Sequence, residues 1–413
     1  MTVKQHQGPL AGMRVLDLSH VMAGPVCAMM LADMGADVIK IERIPIGDDS
    51  RQMLTPSIKG ESAAFMMMNR NKRGLALDLK KPKGQEVLKR LAKTADALIE
   101  NYRKGTMEKF GLGYEALKAI NPGLIYCEIS GFGRTGPMAD QGGFDLVTQG
   151  MSGLMSITGE GPGRPPVKVG APITDITAGL LACIGVNAAY AHKLKTGQGQ
   201  RVDTSLFEAG IIQTYWQSAI AFATGVSPGP LGSAHPLSTP YQAFETRDGW
   251  ITLGAPNQKT WGQFLRVFDA PDIANDPRFA DNAGRMANKP ELIAALTSRF
   301  RLRSTAEWLA LLEKAGVPSG PVLSVQEMHA HPQTAAREMV TVVEHATVGK
   351  VQTLGLPIKF SGTPGAVKDP APVYGEHGRK ILEQAGYTRS EIDTLVAENV
   401  VAEPSTPSGV QNA

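Results

Sequence analysis

Apolar runs and segments with helical spacing alternate along the first half of the chain. Apolar runs predict strands at residues 13–19, 37–42, 75–79, 97–100 and 124–130, and helical spacing predicts helices at 24–36, 82–93 and 114–120. Strands alternating with helices form a mostly parallel, doubly wound sheet, so the pattern predicts an α/β fold. Ligands of such sheets bind beyond the carboxyl ends of the strands, here the loops after Leu18, Glu42, Glu100 and Ser130.

The second half is predicted to be richer in helices and to contain a linker. A long helix over 174–195 ends at Thr196-Gly197-Gln198-Gly199, where a glycine can adopt the left-handed cap. Another helix is predicted at 206–224. Residues 225–240 then hold four prolines and three glycines, which are typical of a linker. Further helices are predicted at 259–268, 289–300, 305–315 and 379–385.

Charge and cysteine content narrow the function classes. The 42 Lys and Arg residues exceed the 39 Asp and Glu residues by three, too small an excess to favour nucleic acid as a partner. Cys27, Cys127 and Cys183 lie far apart and show no metal-ligand spacing, which favours reduced thiols. Residues 1–10 lack the apolar core of a signal peptide, and no uncharged apolar stretch of about 18 residues occurs. A cytoplasmic protein without a membrane partner is expected.

A glycine motif after the strand at 124–130 matches the dinucleotide pattern only superficially. Residues 131–136 read G-x-G-x-x-G, but Pro137 follows and no helix is predicted to open on the third glycine. A pyrophosphate would therefore lack the helix N-terminus that binds it. Walker A and HExxH patterns are absent from the sequence, so no permanently bound cofactor or metal is predicted.

Six separate segments, taken together, resemble one known enzyme family. Their residues are 15–25 (VLDLSHVMAGP), 35–43, 69–80 (NRNKRGLALDLK), 99–112, 142–159 and 173–182 (ITDITAGLLA). In this order and spacing they resemble the class III coenzyme A transferases, the family of formyl-CoA transferase and carnitine CoA-transferase. The resemblance runs from about residue 10 to residue 382.

This resemblance implies a fold and an assembly. A large Rossmann-like, CoA-binding domain would be formed from both chain ends, residues 1–225 and 335–402, with a smaller α+β domain at 226–334. The small and polar residues at 403–413 separately predict a flexible tail. Two protomers would interlock as a homodimer. The residue pattern alone supports only the α/β character and the linker.

The resemblance also implies a nucleophile, Asp175. Considered without the family, Asp175 begins an apolar helical stretch, and its position favours an N-cap role over that of a nucleophile. The helix dipole would favour its ionised form, and an ordinary aspartate has a pKa of about 3.9. In the family's scheme this carboxylate attacks an acyl-CoA, becomes an aspartyl-CoA thioester, and passes the CoA to a free carboxylic acid.

Contacts with the coenzyme are expected by motif match. Arg43 and Lys80 are expected at its phosphates, and Lys109 stands where some members carry an arginine. The residues expected along the adenine and pantetheine are Val21, Ala23, Leu77, Asn101 and Tyr102, and further candidate cations are Lys72 and Arg73. Without the family, each basic residue is better explained as a solvated surface charge, and the resemblance reverses this preference for Arg43 and Lys80.

Two alternatives to a transferase are kept. Related α-methylacyl-CoA racemases use a His in a GHD segment, where this chain has Gly143-Phe144-Asp145, and phenylalanine cannot transfer a proton. The other alternative is a non-catalytic CoA-binding relative. Asp145, where formyl-CoA transferase has Glu, either shapes the acyl pocket or caps a turn.

The side chain at position 22, a methionine, helps to predict which carboxylic acid would accept the CoA. It replaces the glutamine beside the active site of formyl-CoA transferases, and a thioether cannot donate a hydrogen bond to a small oxyacid. A dicarboxylate with a carbon chain, such as succinate, fits better, although Met22 is also explained by packing alone.

Overall fold

A computed structural model describes residues 8–404 and divides the chain into two compact units. The first unit comprises the described parts of Met1–Gly153, Val169–Gln213 and Pro332–Ala413, and the second comprises Leu154–Lys168 and Thr214–His331. The second unit therefore begins twelve residues before the expected boundary at 226, ends three before 334, and includes an earlier segment. Most of the predicted tail, from residue 405 onward, lies outside the described residues.

The strands and helices are numbered separately in chain order. The strands are β1 Arg14–Asp17, β2 Asp37–Glu42, β3 Ser57–Ile58, β4 Glu61–Ser62, β5 Lys72–Leu77, β6 Ala97–Glu100, β7 Ile125–Ser130, β8 Arg201–Ser205, β9 Tyr241–Glu245, β10 Trp250–Gly254, β11 Ser319–Pro321, β12 Val340–His345, β13 Gly349–Leu354 and β14 Val401–Ala402. The helices are α1 Ala23–Asp33, α2 Ala63–Met68, α3 Pro82–Ala92, α4 Thr106–Lys109, α5 Tyr114–Ile120, α6 Asp145–Met151, α7 Leu154–Ile157, α8 Ile173–Thr196, α9 Leu206–Ile212, α10 Tyr215–Thr224, α11 Gln258–Phe268, α12 Pro271–Ala274, α13 Asn282–Ala287, α14 Lys289–Phe300, α15 Thr305–Lys314, α16 Val325–Ala330, α17 Pro332–Ala336, α18 Gly378–Gln384 and α19 Arg389–Ala397.

A seven-stranded sheet in the order β14-β5-β2-β1-β6-β7-β8 forms the centre of the first unit. All neighbouring pairs are parallel except β14 with β5, so the predicted α/β character is confirmed. Strand β5 begins at Lys72, three residues before the predicted start, because Lys72 pairs with Val38 of β2. The Lys72 ammonium is buried 2.9 Å from the Asp17 carboxylate. Because Lys72 is charged, it did not count toward the apolar run, and the strand was predicted to start too late.

Helices cover both faces of this sheet. One apolar layer joins the strands to α1 and α8, and the other joins them to α3, α18 and α19. Because both faces are covered, the strands appear as continuous apolar runs. Helix α8 is long and apolar enough to cross a membrane by length and composition alone, a test that buried core helices also pass, and Ala178, Ala182 and Val186 lie in the core.

The predicted helix at 206–224 is in fact two helices. Helix α9 ends at Ile212 and α10 begins at Tyr215, with Thr214 outside the helical conformation. The β-branched residues Ile211, Ile212 and Thr214 lie at this break and weaken local helix propensity. In the second unit, β9–β11 form an antiparallel sheet, and aromatic side chains, among them Trp261 and Phe300, fill its core.

Candidate active site

A cavity of about 350 Å³ lies at the carboxyl ends of the parallel strands of the first unit. Residues from the loops after β1, β2, β6 and β7 line it, together with the first turn of α8. These are the four loops that the alternating pattern predicted for a ligand.

Buried charges hold the loop after β1. The Lys40 ammonium lies 2.7 Å from one Asp48 carboxylate oxygen, and the other oxygen accepts the Val21 N–H at 3.0 Å. Val21 has a φ of 65°, a left-handed conformation that is unfavourable for a β-branched residue. The hydrogen bond to Asp48 offsets this strain and keeps Met22 and Ala23 in the wall of the cavity.

The loops after β1 and β6 are tied together by one side chain. Asn101 accepts the His20 N–H and donates to the His20 carbonyl oxygen, both at 2.8 Å. The His20 Nε2 lies 3.0 Å from the Tyr102 hydroxyl, and its Nδ1 is buried without a hydrogen-bond partner among the described residues. Burial lowers the pKa of His20, so the imidazole is neutral at pH 7.

Asp175 is not the N-cap of α8. The helix begins at Ile173, which makes Asp175 its third residue, and the Asp145 carboxylate caps the helix from outside. One Asp145 oxygen accepts the Thr174 N–H at 3.0 Å and the Thr174 hydroxyl at 2.8 Å. The side chain of Asp175 makes no hydrogen bond or ion pair with any residue in the range 8–404 and lines the cavity.

The environment of Asp175 raises its pKa from the ordinary 3.8 to about 6. Burial is the larger cause and the nearby Asp145 charge is the second. The helix N-terminus was expected to keep this carboxylate ionised at neutral pH; its pKa nevertheless lies above the ordinary value, because desolvation and a like charge outweigh the dipole. A carboxyl with a pKa of about 6 is still about nine-tenths ionised at pH 7, and it has no partner that must be displaced before it reacts.

Four of the expected contact residues do not line the cavity. Leu77 is 1% exposed in the core, Lys80 is exposed in a turn after β5, and Lys109 is exposed on α4. Asp145 is occupied with Thr174 and Gln149, which corresponds to the capping alternative. The residues that do line it are Val21, Met22, Ala23, Arg43, Asn101, Tyr102 and Asp175.

The two further candidate cations have structural partners. Lys72 bonds to the carboxylate of Asp17, and Arg73 lies 2.8 Å from the Asp37 carboxylate. The motif match could not reveal these ion pairs, because the partner carboxylates stand more than 30 residues away in the sequence.

Several lining residues were missed by sequence reasoning. They include His20, Arg103, Lys104, Arg134, Gly131, Gly142 and Gly143. A usable signal existed for two of them, since Arg103 and Lys104 form a basic pair directly after Asn101-Tyr102. The glycine motif at 131–136 was considered only as a dinucleotide site, and Gly142 and Gly143 were not considered as lining residues. A Cβ at Gly131 would lie 2.4 Å from the Gly143 nitrogen, so the two loop backbones can approach only without side chains.

Most of this chain matches one known protein family. The model of CoA-transferase family III matches residues 10–378. The chain belongs to this family. Among its relatives, the human succinyl-CoA:glutarate CoA-transferase is 37% identical over 399 residues, covering 96% of this chain and 91% of the relative. The succinate–glutarate CoA-transferase of Agrobacterium fabrum is 38% identical over 382 residues, covering 91% of this chain and 95% of the relative.

A solved structure agrees with the fold of this CoA-transferase. A CAIB/BAIF family protein from Brucella suis superimposes with a TM-score of 0.81 at 39% identity, covering 92% of this chain and all of that one. The enzyme class inferred from the six segments is thereby confirmed, and the racemase alternative is not favoured.

Proposed function

We propose that this CoA-transferase moves coenzyme A from an acyl-CoA to a dicarboxylic acid, with Asp175 as the nucleophile. The choice of Asp175 rests on one observation. Two carboxylates of the described chain line the cavity; Asp49 is paired with Arg43, whereas Asp175 has no partner. An unpaired carboxylate keeps its lone pairs available for attack.

The chemistry balances without an added base or metal. The Asp175 carboxylate attacks the thioester carbonyl and the CoA thiolate leaves, which gives a mixed anhydride. The thiolate attacks the Asp175 carbonyl, releases the first acid as its carboxylate, and forms an aspartyl-CoA thioester. The second acid's carboxylate attacks this thioester and expels the CoA thiolate, which gives a second mixed anhydride. The thiolate then attacks the acyl carbonyl of the second acid and releases the Asp175 carboxylate. One negative charge is carried through every step.

Two features support a dicarboxylate with a carbon chain. The thioether of Met22 and the methyl of Ala23 give the cavity an apolar wall that methylene groups can contact. The names of the human and Agrobacterium fabrum relatives both include glutarate and a succinyl or succinate group. Succinyl-CoA with glutarate is therefore the substrate pair with which to begin.

The assembly and location are part of this proposal. Helix α10 has no buried residue, and it exposes Tyr215 by 73%, Trp216 by 60% and Phe222 by 90%. Such an apolar helix is stable in water when a second chain covers it. We therefore expect a homodimer, interlocked as in the family. We also propose that the enzyme acts in the cytoplasm, without nucleic acid or membrane as partners. Light scattering should give the mass of two chains.

Chemical trapping tests the proposed intermediate. Succinyl-CoA is added to the enzyme, hydroxylamine follows, and the digested protein is analysed by mass spectrometry. We expect a hydroxamate on Asp175 that is absent when hydroxylamine is omitted. Unmodified Asp175 during turnover would contradict the scheme. Deuterium exchange at the α-carbon of a 2-methylacyl-CoA would indicate the racemase, and CoA binding without reaction would indicate a non-catalytic relative.

The charge of Asp145 is expected to influence how kcat/KM depends on pH. Asp145→Asn keeps an oxygen to accept from Thr174 but removes the negative charge that helps to raise the Asp175 pKa. The acid limb of kcat/KM, expected near pH 6 in the native enzyme, should move toward 3.8. Rates measured from pH 4.5 to 8, with thermal melts to verify folding, check this. An unmoved acid limb would show that Asp175 does not sense this charge.

A further inference from the structure

A buried arginine of the second unit has no carboxylate partner. The Arg285 side chain of α13 has 0% of its surface exposed, and it makes no ion pair with any residue in the described range 8–404. Asp281 precedes the same helix, but it is exposed and its carboxylate accepts the Gly284 N–H at 2.7 Å. Burial lowers the pKa of Arg285, and an arginine nevertheless stays charged at neutral pH. Because a buried charge is costly without a counter-charge, a compensating group is expected.

The contacts that hold this guanidinium are all neutral. Its Nε donates to the Thr239 carbonyl oxygen at 2.8 Å. Its Nη1 donates at 3.3 Å to the side-chain oxygen of Gln258 and to the carbonyl oxygen of Phe279. The guanidinium also lies over the Trp261 ring, with Cζ 4.8 Å from the ring centroid. Carbonyl dipoles and an aromatic face stabilise a cation, but they leave its net charge in the interior.

Two buried polar atoms beside these contacts have no hydrogen-bond partner among residues 8–404. They are the Nη2 of Arg285 and the Oγ1 of Thr239, whose side chain is also fully buried. The 2.8 Å bond from the Arg285 Nε to the Thr239 carbonyl oxygen joins the two residues, so both atoms lie in the same small region. Buried polar groups without a protein partner indicate an internal water molecule or ion.

The donors and the charge favour an anion over a water molecule. The Nη2 group can only donate a hydrogen bond, and the threonine hydroxyl can donate a second one. A water molecule could accept both bonds, but it would leave the buried charge of Arg285 uncompensated. Both side chains are fully enclosed, so the ligand must be small and carry a single charge. Chloride has this size and this charge.

We infer that Arg285 and Thr239 bind a chloride ion inside the second unit. The ion accepts from the Arg285 Nη2 and from the Thr239 hydroxyl, and it neutralises the buried guanidinium. It strengthens the attachment of residues 237–240 to α13, where Asn282 donates to the Leu237 carbonyl oxygen at 3.0 Å and accepts the Thr239 N–H at 3.3 Å. The inference is independent of the proposed function, because none of the residues that hold the guanidinium lines the cavity of the first unit.

Thermal melts of the full chain at constant sodium concentration test for the ion. The protein is first dialysed against sodium gluconate, whose anion is too large for an enclosed site, and chloride then replaces gluconate stepwise. The Tm should rise by about 3 °C once the chloride concentration exceeds its Kd about 100-fold, because the ion binds only the folded state. A Tm that does not respond to chloride would overturn the inference.

Substitution of the two side chains locates the ion. Thr239→Val keeps the shape of the side chain and removes a hydroxyl that has no partner in the range 8–404, so the variant should fold and its Kd for chloride should rise about 10-fold or more. Thr252→Val, at an exposed position of β10, is the matched control and should keep the native response. Thr239→Val with the native Kd would contradict the assignment.

Arg285→Met removes the charge itself and should abolish the response of the Tm to chloride. Its control is Arg266→Met, which removes an exposed arginine of α11 and should leave the response unchanged. If Arg285→Met does not fold, because it also loses its three other hydrogen bonds, Thr239→Val still decides. A native response in folded Arg285→Met would show that chloride acts elsewhere and would overturn the inference.

Crystals of the full chain grown in sodium bromide distinguish an anion from water directly. Bromide replaces chloride and scatters X-rays anomalously, so we expect an anomalous peak within hydrogen-bond distance of both the Arg285 Nη2 and the Thr239 Oγ1. Density there without an anomalous signal would identify a water molecule and overturn the inference, as would the absence of any density. Neither result would affect the proposed role of Asp175, which lies in the first unit.

Discussion

Asp175→Asn should lower kcat for CoA transfer from succinyl-CoA to glutarate by at least about 1,000-fold, because a neutral amide cannot form the anhydride. The change is nearly isosteric, and it breaks no hydrogen bond or ion pair between residues 8 and 404. The assay follows glutaryl-CoA by chromatography. Asp272→Asn, an exposed acid of α12 that does not line the cavity, is the matched control and should retain full activity. Comparable rates for Asp175→Asn and the native enzyme would exclude Asp175 as the nucleophile.

The same variant should be more stable than the native protein at neutral pH. The pKa of Asp175 is about 6 in the folded chain against an ordinary 3.8, so the folded state binds this proton more tightly than the unfolded state. Above pH 6 both states are ionised and the carboxylate destabilises the fold, by at most about 3 kcal/mol. The gain from Asp175→Asn should therefore be full above pH 6, shrink as the pH falls, and vanish below about 4. Thermal melts at pH 4 and pH 8 measure it, and a lower Tm for the variant at pH 8 would contradict the raised pKa.

Lys40→Met should destabilise the first unit by about 3–5 kcal/mol, the second large effect that we expect. Lys40 is fully buried, and its ammonium lies 2.7 Å from Asp48 and 3.8 Å from Asp17. Burial lowers the pKa of Lys40, but these carboxylates raise it more, so the ammonium stays charged at neutral pH. Methionine would leave the buried Asp48 carboxylate without a counter-charge, and the strained Val21 would lose a fixed hydrogen-bond acceptor.

Urea denaturation measures this loss. Lys83→Met removes an ammonium from a half-exposed pair with Glu398 and should cost less than about 1 kcal/mol, which makes it the matched control. The double variant Lys40→Met/Asp48→Asn should recover part of the loss, since it removes the uncompensated charge together with its partner. Equal effects of Lys40→Met and Lys83→Met would show that the buried pair does not stabilise the fold.

Local sequence patterns were sufficient to predict most strands and helices and the position of the cavity. The strands β2 and β6 and the helices α5 and α14 begin and end at the predicted residues, because apolar runs and helical spacing follow directly from burial. The four predicted loops line the cavity, since parallel strands place their carboxyl ends along one edge of the sheet. The family was identified from the resemblance of six segments, and that resemblance implied Asp175 as the nucleophile.

Contacts between distant segments determined the ionisation and the pairing of the site residues, which local sequence patterns could not predict. The raised pKa of Asp175 depends on burial and on Asp145, thirty residues earlier, and the capping of α8 depends on the same side chain. The Arg103 guanidinium lies where a Cβ at Gly142 would be and has no ion pair with any residue from 8 to 404, and neither fact is visible in its own segment. The sequence by itself determined which elements form and which edge of the sheet binds ligands, because these follow from periodic burial. Only the tertiary structure decided which charges are paired, buried or available, because Coulomb and packing interactions depend on distances through space.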